Sequence, residues 1–240
     1  SIFGESDIHT KTTQTTLFES QADKNAFKKD IKNFVMFENL EDDTTSAVKV
    51  KIEKYSKMRS KGTIYKNLQF LLNCKTAEHF GLKLPILFLD YTTKIGENSL
   101  DYYSNKDFEK IDILSKREMF FHWELEFPLV FFDENAEKKI DGGFDAIIGN
   151  PPWERPIIEA KEFFSVRSPK IANTNTAIRK KLIKKLEKTN PALVNEYIEE
   201  KKNADQQIKY LKDSGKFQLS ATGDVNFYAI FLELARNNLI

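Results

Sequence analysis

The chain has 240 residues, 40% of them hydrophobic and 30% charged, which is enough to bury a core as one large domain or two small ones. Its formal net charge is +1, so no global field marks a nucleic-acid partner, and any such partner must be read from local charge. Cys74 is the only cysteine, which excludes an internal disulfide and a multi-cysteine zinc centre and suits a reducing cytoplasm. No apolar run reaches the roughly 18 residues of a membrane span, and the start, Ser1 to Asp7, lacks the basic and apolar regions of a signal peptide. There is no initiator methionine and the sequence stops on Asn238-Leu239-Ile240, so a segment of a longer chain is expected.

Residues 1–25 are polar, Thr-rich and expected to be irregular. Residues 26–38 and 44–59 place apolar residues at three- and four-residue spacings and predict amphipathic helices, the second capped by Asp42, Asp43 or Thr44. A third helix is predicted from Thr63 to Phe80, ending at Gly81 in the left-handed cap position. The apolar run Ile86 to Leu89 after Pro85 reads as a short buried strand, and 91–118 as loop with a short helix. An aromatic-rich block, Phe120 to Phe132, precedes a polar turn. Then Phe144-Asp145-Ala146-Ile147-Ile148, short and nearly all apolar, predicts a central strand covered on both faces. Beyond Pro156 helices are predicted over 175–188 and from Pro191 to about Gly215, followed by a last one capped by Gly223-Asp224 with Phe227, Ile230, Phe231 and Leu234 on one face.

The chemistry concentrates at Asn150-Pro151-Pro152-Trp153, directly after the predicted strand. An exocyclic amine is a poor nucleophile because its lone pair is delocalised into the ring. Two acceptors that take both amine hydrogens localise the lone pair and favour a tetrahedral transition state. Asn150 offers a side-chain carbonyl and Pro151 a main-chain carbonyl. The consecutive prolines fix φ and remove two N–H donors. Trp153 offers a flat face for a base taken out of its stack. A site at the carboxyl end of a strand is where open α/β sheets bind ligands. An Asn/Asp-Pro-Pro-aromatic run arises by chance in under about 1% of chains this long, given Pro usage of about 5%.

The run Phe144 to Trp153 resembles the catalytic motif of amino-group DNA methyltransferases, and most of all that of large adenine-specific methylases of restriction–modification and phage-defence systems, including type IIG enzymes. The blocks Phe121 to Phe131 and Gly223-Asp224-Val225-Asn226-Phe227-Tyr228 to Glu233 resemble the segments that flank that motif. The resemblance implies S-adenosyl-L-methionine as methyl donor, adenine N6 in double-stranded DNA as acceptor, and restriction or defence-system subunits as possible partners. It implies Asn150 and Pro151 on the amine, with Pro152 shaping the turn and Trp153 on the base. It implies Asp224, Asn226 and Tyr228 near the cofactor and base pockets. As fold it implies an α/β, partial Rossmann-like methyltransferase sheet with large helical insertions, helix predominating. Residues 1–119 are expected to form a mainly helical region, and 120–240 part of the catalytic domain with a basic helical insertion at about 155–216. The glycine-rich loop that such enzymes carry for the cofactor is not among this chain's nine glycines, since Gly142-Gly143 precedes a strand rather than a helix. The isolated chain is therefore expected to bind cofactor weakly and to be inactive.

Between Arg155 and Lys216 there are 15 Lys/Arg against 8 Asp/Glu. Arg155, Arg167, Lys170, Arg179, Lys180, Lys181, Lys184 and Lys185 are candidates for DNA phosphates, against the alternative of a solvated helix face. His122-Trp123-Glu124 matches half of a zinc deaminase signature, whose cysteine pair is absent, and no metal is expected. Two other functions stay open. The Asn-Pro-Pro-aromatic run also serves protein-glutamine N5 methyltransferases, and a non-catalytic DNA-binding remnant is the third alternative. Cytosine N4 as target is not formally excluded.

Overall fold

The computed structural model describes residues 21–83 and 106–239. Helix starts follow from side-chain caps. Thr44 Oγ1 accepts from Ala47 N at 3.1 Å and opens α2 (Thr45–Met58), and Thr63 Oγ1 accepts from Lys66 N at 3.3 Å and opens α3 (Ile64–His79). α3 ends as predicted: Gly81, at φ +89°, lets its own N–H reach Glu78 O and that of Leu82 reach Ala77 O, the paired bonds of a Schellman motif. α1 (Gln21–Glu38) begins earlier than the expected residue 26, and α4 (Lys106–Arg117) is the short helix expected within 91–118. The predicted strand at 86–89 lies outside the described residues.

α3 is apolar around much of its circumference, and such a helix is buried on more than one side. Ile64, Leu68, Leu71 and Leu72 pack with Ala26, Phe27 and Ile31 of α1 and with Leu125. Phe70, Cys74 and Ala77, on the other side, pack with Phe108, Ile111 and Leu114 of α4. The aromatic block folds as two single-turn helices, α5 (Trp123–Glu126) and α6 (Pro128–Phe131).

A second helical group follows: α7 (Ala160–Arg167), α8 (Pro169–Ala172), α9 (Thr176–Thr189) and α10 (Pro191–Asp213). Phe163, Phe164, Ile171 and Ala172 form its core against Leu182, Ile183, Leu186, Leu193 and Tyr197. Asn190 Oδ1 caps α10 on Leu193 N at 3.2 Å, with Pro191 in the first turn. Near its other end α10 packs through Ile208, Tyr210 and Leu211 with Phe217, Ala221, Val225 and Ile230, the last from α11 (Phe227–Asn238).

Two expectations are corrected. Residues 144–148 do not form a buried strand: Ile148 is 98% exposed, and the only pairing among the described residues is an isolated parallel bridge of Phe144 with Leu239. A strand exists through hydrogen bonds with a neighbouring strand, and the described residues contain only this bridge and one between Phe132 and Lys138. The architecture is therefore helical, without the predicted sheet among the described residues. The cap of α11 is also not Gly223-Asp224. Asn226 takes that role, its Oδ1 accepting from Tyr228 N at 3.2 Å.

One acid is buried without full compensation. Asp30 of α1 is 3% exposed and its Oδ2 lacks a hydrogen-bond partner among the described residues. Burial raises its pKa from 3.8 to about 6, against the pull of the Arg59 guanidinium and with repulsion from Glu126. A carboxyl with a raised folded pKa contributes fully below its unfolded pKa of 3.8, and that stability is lost as pH rises through about 6. Asp30→Asn should therefore stabilise the protein at pH 7 by about 3 kcal/mol. The gain should vanish below pH 3.8, as read from urea unfolding across pH. A gain that did not depend on pH would contradict a raised Asp30 pKa.

Candidate functional site

The residues after the polar turn run along α11 in the opposite direction. Phe144 N donates to Asn238 O at 2.8 Å at the end of α11, and Glu154 O accepts from Phe227 N at 3.2 Å at its start. Between these bonds Gly149 lies under Phe231: a Cβ there would come within 3.2 Å of Phe231 Cζ, so the contact favours glycine. Gly142 has a similar reason, since a Cβ would meet Phe131 O at 3.0 Å.

Phe144 anchors this segment. Its ring stands edge-on to Trp123, Phe127 and Phe131 at centroid distances of 5.7, 5.4 and 5.6 Å, the favoured geometry for aromatic pairs. The aromatic block is thus a socket for the segment that leads to Asn150. His122 ties the block to α3, its Nε2 lying 2.8 Å from Asn73 Oδ1. Burial, helped by the Lys216 ammonium, pushes the His122 pKa down to about 3, so the ring is neutral at physiological pH. Glu126, on the same block, accepts from Arg59 Nη1 at 2.6 Å and from the Tyr65 hydroxyl. Neither side chain is placed for acid–base catalysis. The cavity beside His122, of about 170 Å³ and lined by Phe80, Phe120, Tyr210 and Lys216, is smaller than the roughly 300 Å³ at which small-molecule sites begin.

Asn150 and Pro152 are exposed and Pro151 is half-buried. No protein group among the described residues hydrogen-bonds the Asn150 side chain, so its carbonyl is available. Trp153 is 74% exposed, and its ring centroid lies 6.2 Å from that of Tyr228, the planes 30° apart. The structure thus brings Tyr228 to the Asn150–Trp153 turn. Asn226 spends its side chain on the helix cap, and Asp224 is exposed. These residues do not assemble a cradle for S-adenosyl-L-methionine.

Glu233 escaped notice in the sequence, although an acid next to the apolar face of a helix is a usable signal. It is buried and accepts from Leu219 N at 3.1 Å, from Ser220 N at 2.8 Å and from the Ser220 hydroxyl. Burial raises its pKa, but the Ser220 and backbone bonds, with Arg236, outweigh this and hold it below the usual range. It pins the 217–222 turn to α11.

The basic candidates separate. Arg179 turns inward, its Nη2 donating to Ala172 O at 2.9 Å and Thr174 O at 2.5 Å, where it stabilises the end of α8. Arg167 bridges Glu196 and Glu200 of α10 at 2.9 and 3.1 Å. Arg155, Lys180, Lys181, Lys184 and Lys185 are exposed and make no ion pair among the described residues. Helical spacing puts Lys180 and Lys184 on one stripe, with Lys181 and Lys185 beside it.

A model of the Eco57I restriction-modification methylase family matches residues 6–191. The match crosses from the first helical region into α10 and includes the Asn150–Trp153 turn. No curated protein and no solved structure matches the chain.

The docking of this segment is testable at Phe144. Phe144→Ala should cost about 2–3 kcal/mol of stability and accelerate amide exchange over 144–154, while Phe144→Leu keeps about half of the loss away. Unchanged exchange in Phe144→Ala would show that the socket does not hold the segment.

Proposed function

The chain belongs to the Eco57I restriction-modification methylase family, and from that premise we propose that it methylates adenine N6 in DNA through the Asn150–Trp153 turn. The observation that carries this reading is the turn itself. Asn150 presents an uncommitted side-chain carbonyl beside a main-chain carbonyl at Pro151, with the exposed ring of Trp153 next to them.

Asn150 Oδ1 and Pro151 O accept the two N6 hydrogens and leave the nitrogen lone pair directed away from the ring plane. The two prolines remove competing donors and stiffen the turn. Trp153 receives the extruded base by stacking. The methyl donor in this reading is S-adenosyl-L-methionine, whose chemistry is the supply of an electrophilic methyl group. Asp224, Asn226 and Tyr228 do not fit it as a donor set, so Asn150, Pro151 and Trp153 act on the base alone. The 240-residue chain is accordingly expected to show no turnover by itself. The parallel bridge of Phe144 with Leu239, joined through α11, supports reading this region as the start of a parallel β-α-β unit.

The lysines of α9 supply the second element of the proposal. α9 and the start of α10 share one core, while the far end of α10 packs with α11. At 1.5 Å per residue, α10 separates these ends by about 25 Å, a span of about seven base pairs. Exposed, unpaired Lys180, Lys181 and Lys184 suit duplex phosphates at that distance from the base, and Arg155 suits them close by.

Tritiated S-adenosyl-L-methionine, given to the protein as its gene encodes it, should label DNA as N6-methyladenine. Label on protein glutamine instead would favour the other class that uses this turn. Asn150→Ala should lower the rate about 100-fold or more with DNA affinity little changed. A variant as active as the parent would remove Asn150 from the mechanism. Reversing Lys180, Lys181 and Lys184 to Glu should weaken DNA binding and make the plot of log affinity against log salt shallower by about 3. An unaltered slope would return these lysines to the role of a solvated face.

A further inference from the structure

We infer that Tyr228 is the second wall of a two-ring clamp for the extruded base, facing Trp153, and is not a cofactor residue; this rests on the proposed role of Asn150–Trp153 as the base pocket. Both rings are large and open to water, at 74% exposure for Trp153 and 47% for Tyr228. Each has the other as its one ring neighbour among the described residues. Ile230, one turn away on α11, is buried in the core instead, and the half-buried Phe227 packs against that core. Tyr228 therefore keeps about half of its surface open beside Trp153 instead of joining that core.

The spacing is the informative quantity. The centroids are 6.2 Å apart and the planes are inclined by 30°. That is within the range of an ordinary tilted ring pair, and slightly short of the separation that a base between the rings needs. Stacked bases repeat about every 3.4 Å, so a base with one ring on each face holds those rings about 7 Å apart. Opening the pair by less than about 1 Å and levelling the planes creates that slot.

The backbone sets the separation. Phe227 N donates to Glu154 O at 3.2 Å, and each ring belongs to a residue adjacent to this bond. Asn226 caps Tyr228 N, which fixes the first turn of α11 that carries the second ring. Asn150 and Pro151 lie upstream in the same turn as Trp153. A base held between the rings thus lies alongside the carbonyls that would accept its amine hydrogens.

The test uses the 240-residue chain and a single-stranded thymine 12-mer carrying one 2-aminopurine, whose emission is quenched by stacking. The parent chain should quench it. Tyr228→Ala should weaken binding about 5- to 100-fold and restore emission, while Tyr228→Phe, which keeps the ring, should bind within about twofold of the parent. Trp153→Ala should match Tyr228→Ala, and the double variant should lose little more, because the two rings share one base. Quenching by Tyr228→Ala equal to the parent, with quenching lost in Trp153→Ala, would overturn the Tyr228 assignment and leave the base pocket standing. Quenching that persisted in Trp153→Ala as well would overturn the pocket itself. Equal damage from Tyr228→Phe and Tyr228→Ala would also overturn the clamp, since the hydroxyl and not the ring would then be the contact.

Discussion

The run of residues 144–154 along α11 is the constraint on which the site depends. An extended segment with one parallel bridge has almost no ladder to hold it. It is held instead at its ends and its middle: Phe144 in the aromatic socket and on Asn238 O, Gly149 beneath Phe231, Glu154 on Phe227 N. Each of these contacts involves α11 or the aromatic block, so the positions of Asn150 and Trp153 are inherited from elements distant in sequence. The two prolines then carry that placement through the turn without further hydrogen bonds.

α11 is itself placed by α10. The cluster of Leu211, Phe217, Ala221, Val225 and Ile230 joins the end of one helix to the face of the other, and Glu233 locks the intervening turn. At the opposite end of α10, Arg167 reaches Glu196 and Glu200 and stacks over Phe163 at 4.1 Å. One long helix thus spaces the lysine-bearing α9 from the aromatic turn. The exposed lysines of α9 give a near-neutral protein a local cationic face.

The interior of the first helical group is partly polar, and its polar members differ in how well they are satisfied. Glu126 is served by Arg59 and Tyr65, with the Arg59 guanidinium over the Tyr55 and Tyr65 rings at 4.4 and 4.1 Å. This arrangement joins the end of α2, which buries no side chain of its own, to α3 and α5. His122 is kept neutral and bonded to Asn73, whereas Asp30 keeps an oxygen without a partner. The first two tie elements together, while Asp30 favours the folded state most in its protonated form.

Several features were legible in the sequence because their causes are local. The starts of α2, α3, α9 and α10 rest on Thr44, Thr63, Asn175 and Asn190, each acting within three residues, and the end of α3 rests on Gly81. The Asn150–Trp153 turn was legible because both carbonyls and the ring stand in four consecutive positions. The apolar run 144–148 was misread, since an apolar run specifies burial only when another strand or helix is present to cover it. Tertiary structure alone decided the rest. It turned Arg179 inward to the end of α8, left Lys180, Lys181 and Lys184 outside, moved the α11 cap to Asn226, and set Tyr228 opposite Trp153. The physical reason is the same in each case. A cap or a proline acts through the bonds of its own turn, whereas the partner of a ring, a guanidinium or an unpaired strand is chosen by which distant segment the fold delivers to it.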